Sequence, residues 1–309
     1  MTASKKILVT GSNGLLGQKL ILALNKRKDI QTLAVSKGEN RMNGKEGYIY
    51  ESLDITDQAA VSAVIGRFQP DVVINTAAMT NVDACESDKT GCLALNVTAV
   101  QYIVEAMEKF VPAAQLIHLS TDFIFDGLAG PYKETDAPNP LSYYAWSKLE
   151  SEKVVQASKL KWAIARTIIV YGIVDSMSRS NVVLWAKDAL SKGQKINVID
   201  DQFRSPTLSE DLAAGCIAIA DKGASGVYHL SGPDTMSILE LVKRVAAYWK
   251  LDTSVITVMK SDTLNQAAKR PPRTGFIIDK ARKDLGYAPH SFEEGLKILD
   301  AELKARVAV

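Results

Sequence analysis

An α/β fold, with a doubly wound parallel sheet and a smaller C-terminal α/β domain, is what this sequence predicts, and three observations carry the prediction. Short β-branched runs alternate with longer amphipathic stretches through the first half. The runs are almost continuously apolar, as strands covered on both faces must be. A glycine-spaced turn joins the first run to the first amphipathic stretch. Alternating β-α-β order makes the strands parallel, because each helical crossover brings the chain back to start the next strand in the same direction.

Taken in order, strands are expected at 5–9 (KKILV), 31–35 (QTLAV), 71–75 (DVVIN), 115–120 (QLIHLS) and 162–170 (WAIARTIIV). Helical periodicity fills 15–26, 57–68 and 81–110. After Gly172 the pattern changes to scattered helices, with QKINVI and GVYHLSG as isolated strands and a breaker-rich KRPPRTG near 270. The domain boundary is therefore set at 172, with some later segments returning to the first domain.

Composition excludes several classes. With 309 residues, 47% hydrophobic and 23% charged, the chain can bury a large core and is not disordered. A formal charge of +2 without basic blocks argues against nucleic acid as a partner. Cys85, Cys92 and Cys216 form no C-x-x-C, which fits a reducing compartment and leaves no metal motif. MTASKKILVT passes straight into a strand-like run, and no stretch nears the roughly 18 apolar residues of a membrane span. A cytoplasmic protein is expected, in which the Asn96-Val97-Thr98 sequon is incidental.

VTGSNGLLGQKL places Gly11, Gly14 and Gly17 between the first strand and first helix. Glycines at that spacing let the backbone turn tightly and approach a pyrophosphate, which sits on the amides of a helix N-terminus. The turn marks a Rossmann-like dinucleotide site, and Asn13, Leu15 and Leu16 are grouped with it. About 20 residues on, an acid would hold an adenosine 2′-hydroxyl, whereas basic groups would accept a 2′-phosphate. Ser36 and Lys37 stand there with Arg41 nearby, which favours NADP(H) over NAD(H), although Glu39 could still reach the ribose.

PLSYYAWSK raises a choice between two tyrosines. On a helix Tyr144 and Lys148 share a face one turn apart, whereas Tyr143 points about 100° away. Ketone reduction needs a hydride on carbon and a proton on oxygen. A phenol with reference pKa near 10 is a poor acid at neutral pH. A nearby ammonium is expected to lower that pKa.

These residues belong to an ordered series that resembles the extended short-chain dehydrogenase/reductase family: LDITD (53–57), NTAAMTNVDACE (75–86), LNVTAV (95–100), HLSTDFIFDG (118–127), YYAWSK, RTIIVYG (166–172), DQFRSPT (201–207) and YHLSG (228–232). Within the family, S-T-D-x-x-F-D-G and D-Q-x-x-x-P-T are most similar to the branch that reduces dTDP-4-dehydrorhamnose. The resemblance implies an NADP(H)-binding domain over 1–172 that also carries the catalytic residues, and a mainly substrate-binding part over 173–309. It implies Thr121, Tyr144 and Lys148 as catalytic residues, with Tyr144 donating the proton and Lys148 also reaching the nicotinamide ribose. Cofactor contacts fall on Asp54, Ile55, Ala77, Ala78 and Asn96, and substrate contacts on Thr121, Asp122, Phe123, Ile169, Asn181, Arg204 and Arg270. The implied activity is NADP(H)-dependent reduction of a 4-keto sugar nucleotide, dTDP-4-dehydro-L-rhamnose to dTDP-L-rhamnose, by a possible homodimer. Two alternatives stay open: a nucleotide-sugar epimerase holding NAD, and a non-catalytic subunit resembling the β subunit of methionine adenosyltransferase.

The chain departs from its relatives at three points. Phe123 stands where related dehydratases carry a glutamate, which disfavours loss of water. Ile169 replaces a tryptophan usual near the sugar, and Arg204 replaces a frequent glycine. Arg204 and Arg270 are candidate forks for a diphosphate. His118 is read as a strand core residue, and His229 is assigned no role.

Overall fold

The computed structural model describes residues 4–177, 179–264 and 266–307. In chain order the first half contains β1 (Lys5–Thr10), α1 (Leu15–Leu24), β2 (Ile30–Ser36), β3 (Ile49–Ser52), α2 (Gln58–Phe68), β4 (Val72–Asn75), α3 (Val82–Ser87), α4 (Lys89–Leu93), α5 (Ala99–Phe110), β5 (Gln115–Thr121), α6 (Tyr143–Ala157) and β6 (Lys161–Thr167). The second half contains β7 (Val170–Tyr171), α7 (Val182–Ser191), β8 (Ile196–Ile199), β9 (Phe203–Arg204), β10 (Thr207–Leu208), α8 (Ser209–Lys222), β11 (Gly226–His229), β12 (Met236–Ser237), α9 (Ile238–Trp249), β13 (Ile256–Met259), α10 (Asp279–Leu285) and α11 (Phe292–Val307).

Seven parallel strands form the central sheet in the order β11-β6-β5-β4-β1-β2-β3. The winding direction reverses between β1 and β4, and the crevice beyond their C-terminal ends is where open α/β sheets take ligands. Period-two alternation splits each strand between two apolar layers. Ile7 and Val9 of β1 pack with α1, α8 and α10, whereas Leu8 packs with α2, α5 and α6. A separate core joins α7, α9 and α11 around β8. Among the described residues no helix is long and apolar enough to cross a membrane.

Several elements differ from expectation for local reasons. The 81–110 helix is broken at Asp88, whose carboxylate accepts from Gly91 N at 2.8 Å and starts α4 anew, and 94–98 widen into a π-turn before α5. The 162–170 strand ends at Thr167, because Ile169 takes φ +28°, a conformation an L-residue rarely adopts. GVYHLSG is not isolated, since Gly226–His229 pairs along β6 as the sheet edge. β3, which no apolar run announced, adds the opposite edge beside β2 with a half-exposed Ile49.

Candidate active site

The turn after β1 is held by close backbone contacts. Gly11 has φ +65°, and a Cβ there would lie 2.8 Å from Ala77 N. A Cβ on Gly17 would lie 2.3 Å from Gly11 O and 2.7 Å from Ser12 Cα, so only glycine lets α1 start this close to the turn. Gly14 caps α1 without a side chain, and the buried Ser12 hydroxyl has no partner among the described residues. Free helix amides and an unsatisfied hydroxyl at the sheet's reversal point are what a dinucleotide diphosphate needs, so these residues fit one. Leu15 and Leu16 open the helix. Asn13 turns away from the turn: it donates to Glu39 O at 2.8 Å and accepts from Arg41 N at 3.0 Å, pinning the loop after β2.

That loop borders an open cleft of about 530 Å³ lined by Lys37, Glu39, Asn40 and Arg41, among others. Ser36 ends β2. Lys37 reaches Asp54 at 2.7 Å, and this partner holds the Asp54 carboxyl down at about 2. Ile55 is buried behind it. On the β4 side, Ala77 and Ala78 follow the strand, and Ala77 N donates to Thr10 Oγ1 at 3.4 Å. Asn96 is buried and clamps Met79, accepting from its N at 2.8 Å and donating to its O at 3.1 Å.

Thr121, Asp122, Phe123, Tyr144 and Lys148 converge at the C-terminal end of β5. Ser142 caps α6, accepting from Ala145 N at 3.3 Å, which sets Tyr144 and Lys148 on one inward face. Both are buried, whereas Tyr143 packs at a tilt against Trp146, with centroids 5.0 Å apart, nearer the surface. Tyr144 lies beside the Thr121 hydroxyl, which acts to lower its pKa, and meets the Phe123 ring edge-on. Asp122 is buried; it accepts from Thr274 and from Thr121, and its Oδ2 is 3.9 Å from Arg204 Nε. Burial raises its pKa while Arg204 opposes the rise.

The expected effect of Lys148 on Tyr144 is corrected. Burial, as the largest influence, pushes the phenol well above its ordinary value. Lys148 directs its ammonium to Leu119 O at 2.7 Å and lies 3.3 Å from His118 Nε2, and burial lowers its own pKa to about 8. The result is a firmly neutral phenol, which is the form able to give a proton.

Three expected substrate contacts are engaged elsewhere. Arg204 is 1% exposed and donates to Phe203 O and Pro271 O, both at 2.7 Å. It thus fastens the double-proline segment over Phe123, whose ring lies 5.4 Å from its guanidinium, instead of presenting an open fork. Arg270 is bound to Asp83 at 2.6 Å. Asn181 caps α7, accepting from Leu184 N at 3.1 Å, and donates to Gly172 O at 2.8 Å. Ile169 is half-buried beside β7 in its strained backbone. Sequence reading missed Asn75, Ser151 and Thr274, which meet the site from β4, α6 and a distant loop. No spacing signal could have joined residues so far apart in the chain.

The chain matches the family model for the RmlD substrate binding domain over residues 5–304. It is 30% identical to the dTDP-4-dehydrorhamnose reductase of Aggregatibacter actinomycetemcomitans, covering 96% of this chain and 98% of that one. It is 31% identical to methionine adenosyltransferase 2 subunit beta of Bos taurus, over 87% of this chain and 79% of that one. The solved structure of dTDP-4-dehydrorhamnose reductase from Bacillus anthracis in complex with NADP superposes with a TM-score of 0.83 at 26% identity, covering 97% and 99% of the two chains.

Proposed function

The chain belongs to the RmlD substrate binding domain family, and on that premise we propose that it is an NADP(H)-dependent reductase of a 4-keto sugar nucleotide, with dTDP-4-dehydro-L-rhamnose as substrate and dTDP-L-rhamnose as product. The observation that carries the reading is the buried, neutral Tyr144 beside the Thr121 hydroxyl, with Lys148 on the same face of α6. Bound NADPH supplies the hydride.

The chain's own groups do the rest. The Thr121 hydroxyl orients the ketone oxygen, and Tyr144 Oη holds the proton that this oxygen takes up. Lys148 supports the phenolate left behind, since a cation close by stabilises it. Phe123, with no proton to give or take, shields the sugar and leaves no acid for dehydration. Gly11, Ser12, Gly14 and Gly17 would hold the diphosphate, and Ala77 and Ala78 would wall the cofactor. Lys37 and Arg41 would receive a 2′-phosphate, which is the ground for preferring NADP(H).

The 31% identity to a methionine adenosyltransferase β subunit keeps a second reading, a non-catalytic partner of a synthetase. One experiment separates them: purified protein is given NADPH or NADH with a panel of 4-keto sugar nucleotides while the absorbance of reduced nicotinamide is followed. Oxidation of NADPH dependent on dTDP-4-dehydrorhamnose supports the reductase. No turnover of any keto sugar, with stable co-elution with a methionine adenosyltransferase, overturns it.

A further inference from the structure

Behind Lys148 lies a closed chain of buried polar groups that the reduction does not obviously need. His118 is fully buried on β5, with Asn75 of β4 on one side and Ser151 of α6 on the other. The neighbours of each group assign its link a direction. Thr10 Oγ1 accepts from Ala77 N at 3.4 Å and donates to Asn75 Oδ1 at 2.5 Å, which turns the Asn75 Nδ2 amino group to His118. An amino group only donates, so His118 Nδ1, 3.1 Å away, must accept and carries no proton. The neutral ring therefore bears its proton on Nε2. Ser151 fits this, because its hydroxyl donates to Lys148 O at 2.7 Å and keeps a lone pair for Nε2–H at 2.9 Å.

Lys148 Nζ lies 3.3 Å from the same Nε2. Both atoms are donors, so no hydrogen bond joins them, and the strand offers the ammonium one acceptor, Leu119 O at 2.7 Å. We infer that His118 is a positioning residue for Lys148: locked as the Nε2–H tautomer by Asn75 and Ser151, it denies the lysine a second acceptor on the strand side and turns its remaining donors toward the Tyr144 face of α6. The catalytic meaning of this arrangement rests on the reductase reading; the arrangement itself does not.

The electrostatics agree with the geometry. Burial and the neighbouring lysine hold His118 well below its ordinary pKa, so it stays neutral. The other charged and titratable groups around the pair are Glu152 on α6, Arg166 on β6, Cys92 on α4, and Tyr144. Glu152 raises the basicity of Lys148 but is bound at 2.9 and 2.7 Å by Arg166, which spends much of its charge. Lysine basicity is thus left open to its nearest neighbour, and a donor placed there disfavours the extra proton.

The test reads the tautomer and the lysine separately from turnover. In the full-length protein labelled with ¹⁵N-histidine, NMR should show His118 protonated on Nε2 alone from about pH 6 to about pH 9. A proton on Nδ1, or an imidazolium near neutrality, overturns the proposal. His118→Gln offers Nζ an amide oxygen, and should raise the Lys148 midpoint, followed by NMR at its ε-carbon, by about one pH unit, a tenfold gain in proton affinity. The basic limb of kcat for ketone reduction should move with it, whereas His118→Phe, which offers no acceptor, should not raise the midpoint. If His118→Gln and wild type titrate together, His118 merely fills space and the proposal falls. If His118→Gln does not fold, the wild-type tautomer still decides. Should the protein reduce no keto sugar while the Nε2 tautomer and the lysine shift are found, the positioning stands and the reductase reading fails.

Discussion

Phe123 meets the Tyr144 ring edge-on, with centroids 6.1 Å apart and planes at 76°. The proton donor thus has an apolar ring against it and the Thr121 hydroxyl nearby. A phenol in that setting keeps its proton until an oxygen with developing negative charge takes it.

Tyr144→Phe is expected to lower kcat for ketone reduction on the order of 10²-fold or more, the usual scale for losing one positioned acid. NADPH binding, measured by fluorescence titration, should change little. Tyr143→Phe keeps the ring contact with Trp146 and should stay within about twofold of wild type. Equal losses in both variants would remove the basis for choosing Tyr144.

Changing Lys37 and Arg41 together to Ala should weaken NADPH binding about tenfold or more, since charged hydrogen bonds to phosphate contribute roughly 1.5 to 3 kcal/mol. NADH binding should hardly move. The Lys37–Asp54 pair is exposed on the lysine side, so its loss should leave the melting temperature almost unchanged. A wild type that prefers NADH would contradict this expectation.

With dTDP-glucose and oxidised cofactor, wild type should form no 4-keto-6-deoxy product by mass spectrometry. Departure of the hydroxyl needs an acid that Phe123 is not, and Asp122 is committed to Thr274 and Thr121. Clear formation of that product would replace the reductase reading with a dehydratase.

Gly17→Ala should destabilise the fold by about 1 to 3 kcal/mol, the range for overpacking, seen as a lower urea midpoint. The added Cβ would meet backbone atoms of Gly11 and Ser12, which cannot rotate aside. Affinity for NADPH should fall in parallel, since the same turn would have to open.

Burying Lys148 should carry a pH signature. Its folded pKa, about 8, lies below its unfolded value near 10.4. Between the two the unfolded chain binds more protons, so stability rises with pH across that window and the full cost is present below about pH 8. Lys148→Met should therefore be more stable than wild type at pH 7, by at most on the order of 3 kcal/mol, with the difference vanishing near pH 10.5. Parallel stability curves from pH 7 to 10 would contradict this.

The sheet was legible because runs such as Ile7, Leu8 and Val9 in β1 and Val72, Val73 and Ile74 in β4 are buried on both faces, and continuous burial leaves a continuous apolar run in the sequence. The glycine turn and the helical pairing of Tyr144 with Lys148 were legible for a similar reason, as each depends on neighbours within a few residues. Long-range facts were not. Arg204 and Arg270 looked like free cations because nothing local announces Pro271 O or Asp83 as their partners. His118 read as core, and it is core, but its bonding to Asn75 and Ser151 appears only when three elements are brought together. The partner of Gly226–His229 could not be read from four residues alone.

The placement of β11 at the outer edge of β6 has a consequence for biogenesis. A nascent chain that has emerged only as far as β7 possesses six strands of its sheet, but one flank of β6 still presents unpaired amides and carbonyls. Closure of that flank waits until residue 229 leaves the ribosome, some sixty residues after β6 is made. During that interval the half-finished protein carries an adhesive border, so holdase protection, or slow synthesis near neighbouring copies, bears directly on how much of it reaches the native state.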